Sequence, residues 1–371
     1  MTTTTSAASA AELRRLLVEQ LADQGALCDP AWRAAFAAVP RETFVPSFSV
    51  RQGSEDQLYQ DGDAGYLAAV YSDTSLTTQR DTAGCPTSSS SQPSLMSRML
   101  EALNVDEGPV LEVGTGTGYN AALLCHRFGD DQVVSVDIDP ELTHTARDRL
   151  AELGYRPTLL TADGTAGAPE RGPYNGLLAT CSVTRVPVAW LRQVKPGGVI
   201  VVNLGSGIAQ LTVTDERGAI GGFLSGTASF MAARPTATHP APHAPRYTAL
   251  IANAEGEPST EDLHGLPADG LGQLVLSGSA MPLTFHQPDV LGVELHADTG
   301  TIYGLVHPAT ESWVRATAAA DGTARVVRGG PLDLWTDRVR LLREWIAAGR
   351  PGPDAYRLTV EPTGEHHLTH I

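Results

Sequence analysis

Three observations predict an α/β fold built on an open, mostly parallel, doubly wound sheet. Val110-Leu111-Glu112-Val113 reads as a buried strand that runs into Gly114-Thr115-Gly116-Thr117-Gly118, and a helical pattern over residues 121–128 follows at once. A second apolar run, Val133-Val134-Ser135-Val136, ends in Asp137. From there strand and helix patterns alternate as far as Leu204, as crossover connections between parallel strands require, with a ligand expected at the strands' carboxyl ends.

Residues 1–10 are mostly Thr, Ser and Ala, with neither a basic start nor an apolar core, so they read as a disordered tail and not as a secretory signal or an anchor. Leu13, Leu16, Leu17 and Leu21 stand at helical spacing over 11–24, and Gly25 stops the pattern. Asp29-Pro30 is an N-cap followed by a proline in the first helical position, which starts a second helix running to Ala38. Residues 39–46 lead away as an extended strap. The stretch 47–85 is polar and irregular, with possible strands at 66–71 and 76–79, and its length suits a lid or substrate loop. Residues 11–92 thus form an N-terminal helical region with that loop. Four serines, 88–91, precede Gln92-Pro93 and a helix over 94–103. They are either a flexible linker or a set of hydroxyls and free N–H groups converging near a ligand.

The core, 93–231, continues with a helix over 140–153, a strand over 158–161 ending in Ala162-Asp163-Gly164, a strand over 176–180, a helix over 187–194, the turn Lys195-Pro196-Gly197-Gly198, and strands at 199–204, 210–214 and 221–224. Repeated prolines make 232–246 a stiff linker. Beyond it, apparent strands at 247–252, 272–276, 290–295 and 301–305 and an amphipathic helix over 332–348 make 247–371 a C-terminal α+β extension whose chemistry the sequence does not reveal.

The glycines let the backbone take dihedrals that a side chain forbids and let a ligand approach the main chain. A dinucleotide fingerprint is G-x-G-x-x-G, with room for a pyrophosphate. Here Tyr119 stands where that last glycine would be, and the spacing is G-x-G-x-G, the form that takes S-adenosyl-L-methionine. Asp137 then offers its carboxylate to ribose hydroxyls. Asp163 is either an acceptor for an adenine amino group or a solvated turn residue.

Composition sets bounds on this reading. The 371 residues suggest two domains. Lys+Arg 26 against Asp+Glu 42 gives a net charge of −16 without a basic stripe, which disfavours nucleic acid as a partner. Cys28, Cys85, Cys125 and Cys181 are scattered, as in a reduced, cytoplasmic protein, and no apolar run approaches the roughly eighteen residues of a membrane span. His239 and His243 sit in the linker, and His366, His367 and His370 in a polar tail. None is framed by cysteines or acids, so no metal is expected. Nucleophile elbows and H-E-x-x-H patterns are absent from the sequence.

Several stretches taken together carry a resemblance. Leu17-Val18-Glu19-Gln20-Leu21, Val39-Pro40-Arg41-Glu42-Thr43-Phe44-Val45, Ser91-Gln92-Pro93 with Arg98-Met99, Leu111 to Tyr119 and Asp163-Gly164 resemble the protein-L-isoaspartate O-methyltransferase family in order and spacing, over about residues 11–225. The resemblance implies a Rossmann-like class I methyltransferase that transfers a methyl group from S-adenosyl-L-methionine to a peptide carboxylate, leaving S-adenosyl-L-homocysteine. It puts the catalytic or substrate-orienting role on Ser91, with Ser89, Ser90 and Gln92 beside it at the substrate. The cofactor contacts expected are Glu112, Gly114, Thr115, Gly116, Gly118, Asp137, Ile138, Asp163, Gly164 and Thr180.

Departures fall on the substrate side. Ser89-Ser90 replace the family's usual Thr-Ile, Ser94 follows the Ser-x-Pro, and the loop ahead of the motif is longer. Divergent members with C-terminal extensions resemble enzymes that methylate an aspartate in a ribosomally made peptide, giving an aspartimide or isoaspartate. The partner implied is a peptide or protein bearing Asp or isoAsp, with no membrane and no nucleic acid, and the oligomeric state stays open. General isoaspartyl repair and an inactive cofactor-binding recognition module are the alternatives.

Overall fold

The computed structural model describes residues 8–53, 55–234, 244–253, 255–264, 266, 269–276, 280–297, 300–319 and 321–371. The tail expected over 1–10 and the linker expected over 232–246, with His239 and His243, lie largely outside them.

Helices α1 (Ala10–Asp23) and α2 (Pro30–Ala38) form as their caps dictate: Ser9 accepts from Glu12 N–H, and Asp29 from Ala31 and Trp32 N–H. A four-stranded sheet follows, of β1 (Ser47–Gln52), β2 (Glu55–Gln60), β3 (Leu76–Arg80) and β4 (Pro86–Ser90), with the short helix α3 (Tyr66–Val70) between β2 and β3. Two expectations need correction here, and the choice left open for the serines is decided. The strap holds a 3-10 turn, Arg41–Phe44. Most of the stretch 66–71 is a helix, Tyr66–Val70, because its two buried residues, Tyr66 and Val70, are one helical turn apart. The serines are no linker: β4 pairs antiparallel with β3, Leu76 facing Ser90 and Thr77 facing Ser89.

The core runs α4 (Pro93–Leu103), β5 (Val110–Val113), α5 (Tyr119–Phe128), β6 (Val133–Asp137), α6 (Pro140–Glu152), β7 (Thr158–Thr161), β8 (Tyr174–Val183), α7 (Val188–Gln193), β9 (Val194–Leu204), β10 (Gly207–Val213) and β11 (Ala219–Phe223). Strands β7, β6, β5, β8 and β9 lie parallel in that spatial order. Their side chains alternate between two apolar clusters. Val110, Val133, Leu178 and Val201 face α1, α2, α4 and α5, while Leu111, Val134, Leu177 and Ile200 face α7. Burial on both faces explains the continuous apolar runs in the sequence.

The C-terminal region contains α8 (Ala244–Asn253), β12 (Pro258–Asp262), α9 (Gly270–Leu276), α10 (Met281–His286), β13 (Leu291–Ala297), β14 (Gly300–His307), β15 (Ser312–Ala318), β16 (Thr323–Gly329), α11 (Thr336–Ala347), β17 (Tyr356–Val360) and β18 (His366–His370). β12 to β16 make a five-stranded antiparallel sheet, in the order β12-β16-β15-β14-β13. The expected strands at 247–252 and 272–276 are helices. Tyr247, Leu250 and Ile251 pack at helical spacing under this sheet, and so do Leu271, Leu274 and Val275.

The C-terminal extension also returns to the core sheet. β17 pairs with β11 and β18 with β17, so the main sheet has nine strands, four of them antiparallel at one edge, and the histidine-rich tail is its last strand. Met281 of α10 packs into the same core cluster as Leu358 and Val360. Among the described residues, no helix is long and apolar enough to cross a membrane.

Candidate functional site

At the carboxyl ends of β5, β6 and β8 lies a cavity of about 1510 Å³. Its floor is the glycine loop. Gly114 and Gly116 have φ of +99° and +51°, in the left-handed region. A Cβ on Gly114 would stand 2.5 Å from Thr180 Oγ1, a clash with the hydroxyl that donates to Gly114 O at 2.7 Å. Loop and strand end are thereby locked. Gly114 N–H donates to Val136 O at 2.8 Å and Gly116 N–H to Asp137 Oδ2 at 2.8 Å, so the acidic end of β6 holds the loop open. Asp137 also accepts from Asp139 N–H at 3.0 Å, and burial pushes its carboxyl above the ordinary range, with these amides pulling it down.

Thr115, Ile138, Asp163, Gly164 and Thr180 line the same space. Asp163 Oδ1 caps the next turn, accepting from Thr165 N–H at 2.9 Å. Gly164 is a packing glycine, since a Cβ there would stand 2.4 Å from Val113 Cγ1.

Two expected cofactor residues stand behind the floor. Glu112 is fully buried and off the cavity wall, accepting from Asn120 Nδ2 at 2.6 Å and from the Ser135 hydroxyl. Ser135 Oγ in turn lies 2.6 Å from Thr115 Oγ1, so Glu112 supports the loop through a buried polar chain. Burial pushes its carboxyl up to about 7, and the two hydrogen bonds oppose the shift. Gly118 allows helix packing, because its missing Cβ would stand 3.0 Å from Ala146 Cβ and 3.4 Å from the Phe44 ring.

The serine strand forms the opposing wall, with Ser88 Oγ 3.6 Å and Ser89 O 3.7 Å from where a Gly116 Cβ would point. Strand alternation sorts the four hydroxyls. Ser88 and Ser90 are buried, Ser88 accepting from Thr78 Oγ1 at 3.3 Å and Ser90 from Arg41 Nε at 3.2 Å. All four serines border the cavity; Ser89 and Ser91 are half-buried, and among the described residues neither of these two hydroxyls has a hydrogen-bond partner. Ser90 borders the cavity and also links it to Arg41. Gln92 also lines the cavity, but its amide is turned toward Ser94 Oγ, 3.1 Å away.

Sequence reasoning missed Arg41 as a site residue. It is wholly buried, and its guanidinium donates to the carbonyls of Val70, Ser72, Thr74, Ser90 and Ser91, the last at 3.0 Å. No carboxylate contacts it among the described residues. Burial lowers its pKa to about 10, so it remains charged at neutral pH. The strap after β11 was missed as well. Ser182 N–H donates to Met231 O at 2.9 Å and Ala233 N–H to Ser182 O at 2.8 Å, which lays 227–234 along the cavity. Tyr247, Asp289 and His307 complete the wall from the C-terminal region, and nothing in their local sequence marks them.

The protein-L-isoaspartate(D-aspartate) O-methyltransferase family model matches residues 12–222 of this chain. A protein-L-isoaspartate O-methyltransferase of Ignicoccus hospitalis is 35% identical over 194 residues, covering 52% of this chain and 81% of its own. One of Methanosarcina mazei is 32% identical over 198 residues, covering 53% and 71%. The solved structure of a protein-L-isoaspartate O-methyltransferase aligns with 96% of this chain and 99% of its own at 23% identity and a TM-score of 0.55, a likeness of fold that extends through the C-terminal region.

Proposed function

The chain belongs to the protein-L-isoaspartate O-methyltransferase family and is an S-adenosylmethionine-dependent protein carboxyl O-methyltransferase; from this premise we propose that its acceptor is an aspartyl side-chain carboxylate in a ribosomally made peptide, primed by the ester to close to an aspartimide and to open to isoaspartate. One observation carries the proposal: the hydroxyl of Ser91 and the glycine loop share a cavity whose far wall, Tyr247, Asp289 and His307, comes from residues outside the family match. The departures of the serine segment that faces this wall, Ser89-Ser90 in place of Thr-Ile, support a changed acceptor with unchanged chemistry.

S-adenosylmethionine, when bound, supplies a methyl group on a sulfonium sulfur to a carboxylate oxygen. The residues present fit this cofactor. Gly114 and Gly116 leave the floor without side chains, Asp137 is an acceptor at the end of β6 for ribose hydroxyls, Asp163 Oδ2 is an acceptor at the end of β7, and Thr115, Ile138 and Thr180 border them. The acceptor carboxylate is already ionised at neutral pH and needs no general base. It needs alignment and removal from water. Ser91 donates to the oxygen that does not attack, and Ser89, on the same face of β4, borders the peptide. Beneath them the buried charge of Arg41 draws the anion toward this end of the strand. Once the ester has formed, the next backbone nitrogen attacks its carbonyl, loses its proton and expels methanol. The four free cysteines support a reducing, cytoplasmic setting.

The test uses two peptides identical except for an Asp or isoAsp linkage at one position, incubated with the full chain and labelled S-adenosylmethionine. The aspartyl peptide is expected to take up label at least as well as the other. Label on the isoaspartyl peptide alone would instead support general repair, the reading that the relatives' names favour.

A further inference from the structure

The turn between β14 and β15 carries His307, Pro308 and Ala309 into the same cavity as Ser91 and Gly116. His307 and Ser312 close this turn as facing partners, and Ser312 is wholly buried. A chain of hydrogen bonds runs along it. Leu332 N–H donates to Ser312 Oγ at 3.0 Å, and Ser312 N–H donates to Thr310 Oγ1 at 3.4 Å. The two hydroxyl oxygens lie 2.9 Å apart, and Thr310 Oγ1 lies 3.0 Å from His307 Nδ1. Thr310 N–H also donates to Nδ1, at 3.3 Å.

A ring nitrogen that accepts from an amide carries no proton of its own, so the His307 imidazole is the Nε2–H tautomer. Because Nδ1 can only accept, the Thr310 hydroxyl 3.0 Å from it is the donor of that pair, which leaves the Ser312 hydroxyl to donate to Thr310 Oγ1. What this relay presents at the cavity wall is an N–H donor at Nε2, which has no partner among the described residues.

We propose that His307 is a specificity-determining residue, whose Nε2–H donates to a backbone carbonyl oxygen of the acceptor peptide beside the residue that Ser91 orients. This rests on the peptide acceptor argued above. Asp289 shares the same wall, so a neutral carbonyl is a better partner there than a second carboxylate. The donor is fixed by its own fold before any peptide arrives, which avoids the ordering cost of a flexible side chain.

The experiment measures KM and kcat on the aspartyl peptide, and the dissociation constant of S-adenosylmethionine by calorimetry, for the full chain and its His307→Leu and His307→Gln variants. His307→Leu should raise the peptide KM by about tenfold or more, with cofactor affinity unchanged, and His307→Gln, which retains an N–H donor, should recover most of the loss. An unchanged KM in a His307→Leu protein that melts with the parent would overturn the proposal, and so would equal losses in both variants. If His307→Leu does not fold, Thr310→Val carries the test, since it removes the hydroxyl that orients the ring. A severalfold rise in KM supports the proposal and an unchanged one overturns it. A parent chain that methylates neither peptide of the pair defeats the functional reading itself and this inference with it.

Discussion

Arg41 shows how one side chain sets the position of a reactive strand. Its guanidinium holds the carbonyls of Ser90 and Ser91 to those of the turn at 70–74, so the cavity face of β4 is placed by a group that never reaches the cavity. Arg41→Met would leave those carbonyls without donors, and unfolding in urea should show a loss of about 3–5 kcal/mol, the scale of breaking a buried charged cluster. Arg41→Lys keeps the charge but not the planar fork, and should recover only part of it. A Met variant as stable as the parent would mean that the carbonyls find other partners. Gly114, Gly116 and Asp137 were expected at the site from their local spacing and Ser91 from the family resemblance, and all four line the cavity. Arg41 was not expected there, because its partners lie far along the chain and are backbone atoms, which have no sequence identity. The tie of Ser90 to Arg41 and the covered position of Glu112 were illegible for a related reason: what a hydroxyl touches depends on the register of β4, and which carboxylate is covered depends on how α5 and β6 pack.

Among the elements, the junction of β5, β6 and α5 gives a pH signature. Glu112 has an ordinary pKa of 4.5 and titrates at about 7 in the folded protein, chiefly because burial disfavours its charge. Between those values the folded chain keeps a proton that the unfolded chain has released, so this group's contribution to stability falls as pH rises through that window and is level above it. The difference amounts to something on the order of 3 kcal/mol. Glu112→Gln removes the titration, so its stability relative to the parent should improve from pH 5 to about pH 7 and level off above it. A difference independent of pH would show that Glu112 ionises normally.

The same scale shows where pattern reading works. β5 to β9 were visible because strands buried on both faces are continuous apolar runs between clear turns. The runs at 247–252 and 272–276 are equally apolar and too short to show a period, so only their packing under the five-stranded sheet makes them helices. β4 was hidden because serine has little strand preference, and its pairing with β3 supplies what its composition lacks.

For the whole molecule, the decisive feature is the return of the chain to its first sheet. β17 covers the edge of β11 and brings Leu358 and Val360, both almost wholly buried, into the main core. A chain ending after residue 234 would lose those side chains, each contributing about 1.5–3 kcal/mol by burial, and would expose a bare strand edge. Its thermal transition should be far lower than that of the full chain, or absent, and a melt within a few degrees of the parent would contradict this role. No sequence pattern announces it, because a polar strand such as His366–His370 is recognised only by the neighbour it pairs with.

The same closure places His307 and Ser91 on one cavity, which is the basis for reading the molecule as a methyltransferase fitted to a particular peptide. The most direct test of that reading is single-turnover transfer of labelled methyl from S-adenosylmethionine to the aspartyl peptide by the full chain and by Ser91→Ala, scored as base-labile ester. The parent should form the ester, and Ser91→Ala should form it about ten- to a hundredfold more slowly at unchanged cofactor affinity, as expected for losing one hydrogen bond to a charged group. Label that is stable to base, or equal rates in parent and variant with peptide at saturation, would contradict it.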